Sequence, residues 1–145
     1  MSISTEAATP APTASGVAAR AVNAVKTYGE GDTVVHALAD VTVDFAAGQF
    51  TAIMGPSGSG KSTLMHCLAG LDDLTSGSVW IEGTNLTELK EKDLTKLRRD
   101  RIGFIFQAFN LIPTLSAEEN IVLPLSLAGT DPDQAWFDQV VQTVG

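Results

Sequence analysis

From residue 55 the chain reads Gly55-Pro56-Ser57-Gly58-Ser59-Gly60-Lys61-Ser62-Thr63. Gly55, Gly60, Lys61 and Ser62 occupy every fixed position of the pattern G-x-x-x-x-G-K-[ST]. The chemistry this pattern supports is the binding of phosphate. Glycines reach backbone conformations closed to other residues, so successive N–H groups converge on one anion. A helix opening at Lys61 aims its free N–H groups and the positive end of its dipole at the same point. Lys61 adds a full positive charge at the β- and γ-phosphates, and the Ser62 hydroxyl is a ligand for Mg²⁺. A plain glycine-rich turn has no use for Lys-Ser directly after its last glycine.

Such a loop works only between a strand and a helix. Residues 50–54, Phe-Thr-Ala-Ile-Met, are nearly all apolar, as in a strand covered on both faces of a parallel sheet. Residues 61–69 carry Leu64, Met65, Cys67, Leu68 and Ala69 and read as the helix, with Gly70 as its stop. Around this unit, residues 21–28 read as a strand and residues 34–38 as a short strand or lead-in. Val41-Thr42-Val43-Asp44-Phe45 alternates as a half-buried strand does. Residues 79–81 and 102–106 read as further strands, and residues 88–101 as a charged helix with leucines at helical spacing. Ser116 with Glu119 three residues on forms a capping box, so a helix starts there. Pro124 inside it is expected to kink or end it. Asp131-Pro132-Asp133-Gln134 opens another helix.

The chain has 145 residues, enough for about one domain, and a formal net charge of −8 with a pI near 4.5. That balance argues against general nucleic-acid binding, which rests on phosphate neutralisation by Lys and Arg. A nucleotide pocket needs only a few local donors and stays open. The single cysteine, Cys67, cannot close an internal disulfide and reads as a small core residue. No apolar run approaches the ~18 residues of a membrane span. Residues 1–18 are mostly Ala, Thr, Ser, Pro and Gly and read as a disordered tail.

The order of elements gives an α/β nucleoside-triphosphate-binding fold. Asn-Lys-x-Asp is missing after the loop, against a GTPase, while a small-molecule kinase stays open on spacing alone. Two further residues could serve the site. Tyr28 is either an ordinary strand-end aromatic or a face that stacks on a purine. Gln107, at the end of an apolar run, is either an exposed loop residue or a group that touches Mg²⁺ and orients water.

The chain closely resembles the ATP-binding subunits of ABC transporters from about Val22 onward. Gly55 to Thr63 is similar to the family's Walker A motif. Tyr28 falls where the family has an aromatic on adenine, and Gln107 falls at its Q-loop. Leu71-Asp72-Asp73-Leu74-Thr75-Ser76-Gly77 resembles the segment after the first helix, with Leu74 where proline is frequent. His36-Ala37-Leu38, the run Met65-His66-Cys67-Leu68-Ala69-Gly70-Leu71-Asp72 and residues 106–121 resemble the macrolide-exporter and lipoprotein-releasing group. The resemblance implies ATP at Tyr28, Gly55, Ser57, Gly58, Ser59, Gly60, Lys61, Ser62 and Thr63. It also implies Mg²⁺ at Ser62 and Gln107, with Gln107 positioning water. Its implied partners are a permease with an extracytoplasmic domain and a second ATP-binding subunit in a head-to-tail dimer. The implied place is the cytoplasmic face of the plasma membrane, reached through the permease.

The family's signature Leu-Ser-Gly-Gly-Gln, Walker B strand and switch histidine do not occur in these residues. The expected fold is therefore an ABC-type P-loop NTPase truncated before the signature motif: an antiparallel β segment, a partial parallel core sheet and the start of a helical subdomain. Its expected divisions are the tail at 1–18, a core at 19–106, and the Q-loop with the first part of the helical subdomain at 107–145. The fragment is expected to bind phosphates without a general base and to be marginally stable alone. A catalytically silent nucleotide-binding fragment is the alternative, ahead of a P-loop kinase.

Overall fold

The computed structural model describes residues 16–106, 108 and 110–144, so Gln107 lies outside the described residues. These residues form two compact units that divide between Leu94 and Thr95. The first contains β1 (Val17–Tyr28), β2 (Val35–Ala46), α1 (Lys61–Leu68), β3 (Ser76–Ile81) and β4 (Thr84–Asn85). The division runs through α2 (Glu91–Arg101), and the second unit holds α3 (Ala117–Ala128) and α4 (Gln134–Val144).

The sheet has the order β2-β1-β3-β4, and each neighbouring pair is antiparallel. β1 lies inside it and carries Ala21 and Ala24, both fully buried. In a regular strand, residues three apart face opposite sides. Here β1 spends three residues, Ala21 to Ala24, against two on β2, Val43 to Val41, and this bulge brings both alanines to one face. β2 then spends an extra residue between Val41 and Leu38. Asn23 and Asp40 sit at positive φ in these two irregularities, and Asn23 Nδ2 donates to Asp40 Oδ1 at 2.9 Å. α1 packs on β1, β2 and β3. Its buried Leu64, Cys67 and Leu68 join Val79, Leu86 and Leu94 in the core, where small alanines on β1 let the helix come close. Burial pushes the Cys67 thiol up from its ordinary pKa, as expected of a core residue.

In the second unit the capping box at Ser116 forms as expected. Ser116 Oγ accepts from Glu119 N–H at 3.2 Å, and Glu119 Oε2 accepts from Ser116 N–H at 2.7 Å. That N–H bond holds the Glu119 carboxyl below its usual range. α3 runs through Pro124 to Ala128, so the proline does not end it. The helix gives up one internal hydrogen bond there and is closed beyond it, where Thr130 N–H bonds the Leu125 carbonyl at 3.0 Å. α3 and α4 enclose an apolar groove of about 290 Å³, lined by Ile121, Val122, Leu125, Trp136, Phe137 and Val140 among others.

Three expectations are corrected. β1 begins at Val17, so ordered sheet overlaps the last two residues of the tail read at 1–18. The two short strands read at 34–38 and 41–45 are one strand, bulged at Asp40. Residues 50–54 and 102–106 take no strand, and no parallel sheet occurs among the described residues. The physical reason is pairing. A strand exists only where its N–H and C=O groups meet a neighbour's, and among the described residues neither run is paired with one. Phe50, Met54 and Ile105 are left fully or almost fully exposed.

Candidate nucleotide-binding site

The loop lies directly before α1, in the first unit. Its glycines Gly55, Gly58 and Gly60 all have positive φ, at 154°, 80° and 84°. Gly60 is the N-cap of α1 in the left-handed conformation. A Cβ on it would lie 2.2 Å from the Ala37 carbonyl oxygen and 3.3 Å from Leu38 Cδ2. Only glycine therefore lets the loop rest on β2 at this point. The loop turns on itself through Ser59 N–H to the Pro56 carbonyl, at 3.3 Å. The first backbone bond of α1 joins Leu64 N–H to the Gly60 carbonyl at 2.8 Å. The N–H groups of Lys61, Ser62 and Thr63 precede it and have no partner within the helix.

Lys61 bends back across the loop. Its Nζ donates to the carbonyl oxygens of Gly55 at 2.9 Å and Pro56 at 2.7 Å, with Ser59 Oγ at 3.5 Å. One cation, one helix N-terminus and a glycine turn thus converge. This geometry suits a polyphosphate anion, because it offers charge and N–H donors with no acidic side chain among the loop residues 55–63. Ser57, Ser59 and Ser62 lie on the exposed surface of the same segment.

Tyr28 stands at the end of β1 and is 41% exposed. Its hydroxyl donates to Asp72 Oδ2 at 2.6 Å. Asp72 lies in the turn after α1 and also accepts from Lys26 Nζ at 2.5 Å through Oδ1. The same ammonium donates to the Asp73 carbonyl at 2.6 Å and lies 4.8 Å from the centroid of the Tyr28 ring. Lys26 and Tyr28 are two apart on one strand, so they share a face. The ion pair is largely withdrawn from solvent, with side chains 12% and 28% exposed. Lys26, then Tyr28, hold the Asp72 carboxyl below the usual carboxylate range, and Asp72 raises the pKa of Lys26. The bond to Asp72 raises the Tyr28 phenol, and the hydroxyl of Thr63, in the first turn of α1, opposes that rise.

The structure thus places the expected residues 55–63 in one loop and helix start, and Tyr28 at the end of β1 with its hydroxyl on Asp72. Gln107 lies outside the described residues. Sequence reasoning assigned no role to Lys26 or Asp72. The Lys-x-Tyr spacing could have marked Lys26 as a same-face neighbour, but nothing local points to a carboxylate 46 residues away.

The family model described as ABC transporter matches residues 38–145. The chain is 50% identical over 103 residues to the uncharacterized ABC transporter ATP-binding protein MJ0796 of Methanocaldococcus jannaschii, covering 71% of this chain and 44% of that protein. It is 49% identical over 105 residues to the macrolide export ATP-binding/permease protein MacB of Brucella abortus, covering 72% of this chain and 16% of that one. Among solved structures, a dimeric post-hydrolysis state of the MJ0796 cassette bound to ADP and Pi superposes with a TM-score of 0.75. Its sequence identity is 41%, and the match covers 86% of this chain and 54% of that one. The chain therefore spans about half the length, or less, of the relatives it matches. The loop at Gly55 and the helix behind it lie inside the matched span, and the chain belongs to the ABC transporter family.

Proposed function

We propose that this chain binds ATP through residues 55–63 as part of an ABC transporter's ATP-binding subunit. In the whole protein, that subunit hydrolyses ATP to drive export or release of a substrate through a partner permease. The observation that carries the reading is the arrangement of Lys61. Its ammonium is held within the loop by the Gly55 and Pro56 carbonyls, beside the free N–H groups that open α1. The γ- and β-phosphates would take the ammonium and those N–H groups, and Tyr28 would carry the base.

Mg²⁺ fits the donor set. Among the described residues no cluster of three His, Cys, Asp or Glu side chains could hold a metal ion. Mg²⁺ does not require one, since it is commonly held by substrate phosphates, waters and one or two protein oxygens. Ser62 supplies a hydroxyl, and Gln107 is the second protein ligand in this reading. The bound ion neutralises charge on the phosphates.

The named relatives support the partner assignments. One is a macrolide export protein that carries its own permease, and the solved cassette is a dimer with ADP and Pi. We assign this chain a permease with an extracytoplasmic domain and a second ATP-binding subunit. Among the described residues no helix is long and apolar enough to cross a membrane, so the permease would supply the membrane attachment at the cytoplasmic face. In this assignment residues 19–106 are the core, and residues 107–145 begin the helical subdomain that meets the permease.

The test is Lys61→Ala with calorimetric titration of ATP. Removing the only loop cation is expected to weaken binding on the order of a hundredfold, the scale of two charge-assisted hydrogen bonds. Affinity within threefold of the unaltered chain refutes the assignment.

A further inference from the structure

We propose that Lys26 and Asp72 are positioning residues for the nucleobase: together they fix the Tyr28 ring so that one face is presented for stacking, and they thereby strengthen the base's contribution to binding. The inference rests on the reading of Tyr28 as the base-stacking residue.

The geometry is that of a clamped ring. A tyrosine side chain turns about two bonds. The hydroxyl bond to Asp72 Oδ2, at 2.6 Å, pins the far end of the ring. The Lys26 ammonium, 4.8 Å from the ring centroid, occupies one face. That ammonium is itself fixed by Asp72 Oδ1 and the Asp73 carbonyl, so it cannot swing away to admit a base on its own side. With the ring still 41% exposed, stacking is confined to the surface Lys26 leaves open. The cation also draws ring electron density toward itself, which makes the opposite face a better partner for an electron-rich purine.

The placement of Asp72 strengthens the case. It lies in the turn that follows α1, the helix whose first residues, Lys61 and Ser62, face the phosphate loop. One rigid element therefore spans ~12 Å between the phosphate donors and the carboxylate that orients the ring. A surface ion pair kept only for stability has no need of the tyrosine hydroxyl. Here the two oxygens of one carboxylate are divided between the cation and the phenol.

The experiment titrates ATP and inorganic tripolyphosphate, which lacks a base, against the unaltered chain and five variants. These are Tyr28→Ala, Tyr28→Phe, Asp72→Asn, Lys26→Met and the double variant Tyr28→Ala/Asp72→Asn. Tyr28→Ala should weaken ATP roughly tenfold, the size of one base–aromatic stack, and leave tripolyphosphate unchanged. Asp72→Asn and Lys26→Met should each weaken ATP about fivefold, the size of one hydrogen bond, again without effect on tripolyphosphate. Tyr28→Phe keeps the ion pair and removes only the anchor, so a loss of about threefold is expected. In the Tyr28→Ala background, Asp72→Asn should have no further effect.

Equal losses for ATP and tripolyphosphate, or an undiminished loss in the Tyr28→Ala background, overturn the positioning role and mark the pair as structural. If Tyr28→Ala leaves ATP affinity intact, the stacking reading fails and this proposal with it. If Tyr28→Ala weakens ATP but the other single variants do not, positioning alone fails. Should either ion-pair variant not fold, Tyr28→Phe decides the matter, and unchanged ATP affinity there refutes the clamp.

Discussion

Replacing Gly60 by alanine tests whether the loop owes its shape to contact with the sheet. The residue sits at φ 84°, ψ 4°, in the left-handed region. An L-residue there costs about 1–2 kcal/mol. The added Cβ would also lie 2.2 Å from the Ala37 carbonyl oxygen, a backbone atom of β2 flanked by the paired residues His36 and Leu38. Relieving that overlap means shifting β2 or the loop, at a cost of about one ladder hydrogen bond, ~1 kcal/mol or more. The total is about 3 kcal/mol. Gly58 is the matched control. Its φ is 80°, but a Cβ there meets nothing within 4 Å, so Gly58→Ala carries the conformational cost alone. Amide hydrogen exchange across β1 and β2 reads the difference. At 1.4 kcal/mol per tenfold, exchange should speed up roughly 150-fold in Gly60→Ala and roughly tenfold in Gly58→Ala. If the two variants agree within threefold, the clash with β2 does not control the loop and the argument fails.

Two other predictions follow from the contacts. The Asp72 carboxyl has a folded pKa below its unfolded value near ~3.9, so its contribution is present above about pH 4 and is lost as pH falls through the folded value. Lys26 has a folded pKa above its unfolded value near ~10.4, so its contribution is present below that pH and is lost as pH rises through the folded value. Denaturant midpoints measured against pH should therefore fall at both ends, and Asp72→Asn should flatten both limbs; an unchanged profile refutes the linkage. Ser116→Ala removes the hydroxyl that caps α3 and should cost about 1 kcal/mol. Exchange at the Glu119 amide should accelerate about fivefold by that reckoning, and no change would show the cap to be idle.

What the sequence made legible was local. The capping box needs only Ser116 and Glu119, three residues apart, and it forms as written. The phosphate loop is likewise a run of neighbours, so its glycines, lysine and helix start could be read directly. Pairing was less legible. The apolar run at 50–54 announces burial, yet a strand also needs an edge to join, and no residue in the run encodes one. β2 read as two strands because Ala39 and Asp40 interrupt its alternation, when in fact a bulge carries the chain through Asp40 at φ 57°. The clamp on Tyr28 was invisible for another reason. Asp72 is 44 residues from Tyr28 and meets it only after α1 has packed on the sheet.

The bonds from Lys61 to Gly55 and Pro56 have a consequence for how affinity is composed. The ammonium acts as a stand-in guest, holding the loop closed with the same charge a phosphate would claim. In the proposed mode of binding, arrival of the anion would be an exchange of partners. Two carbonyl oxygens give up a cation and turn to water while the phosphate gains one. The loop needs little reordering, so the entropic cost of shaping it is met before any ligand comes. A lysine variant loses this prior ordering as well as the charge. Its weakened binding should therefore carry an unfavourable entropy that a mere loss of attraction would not produce.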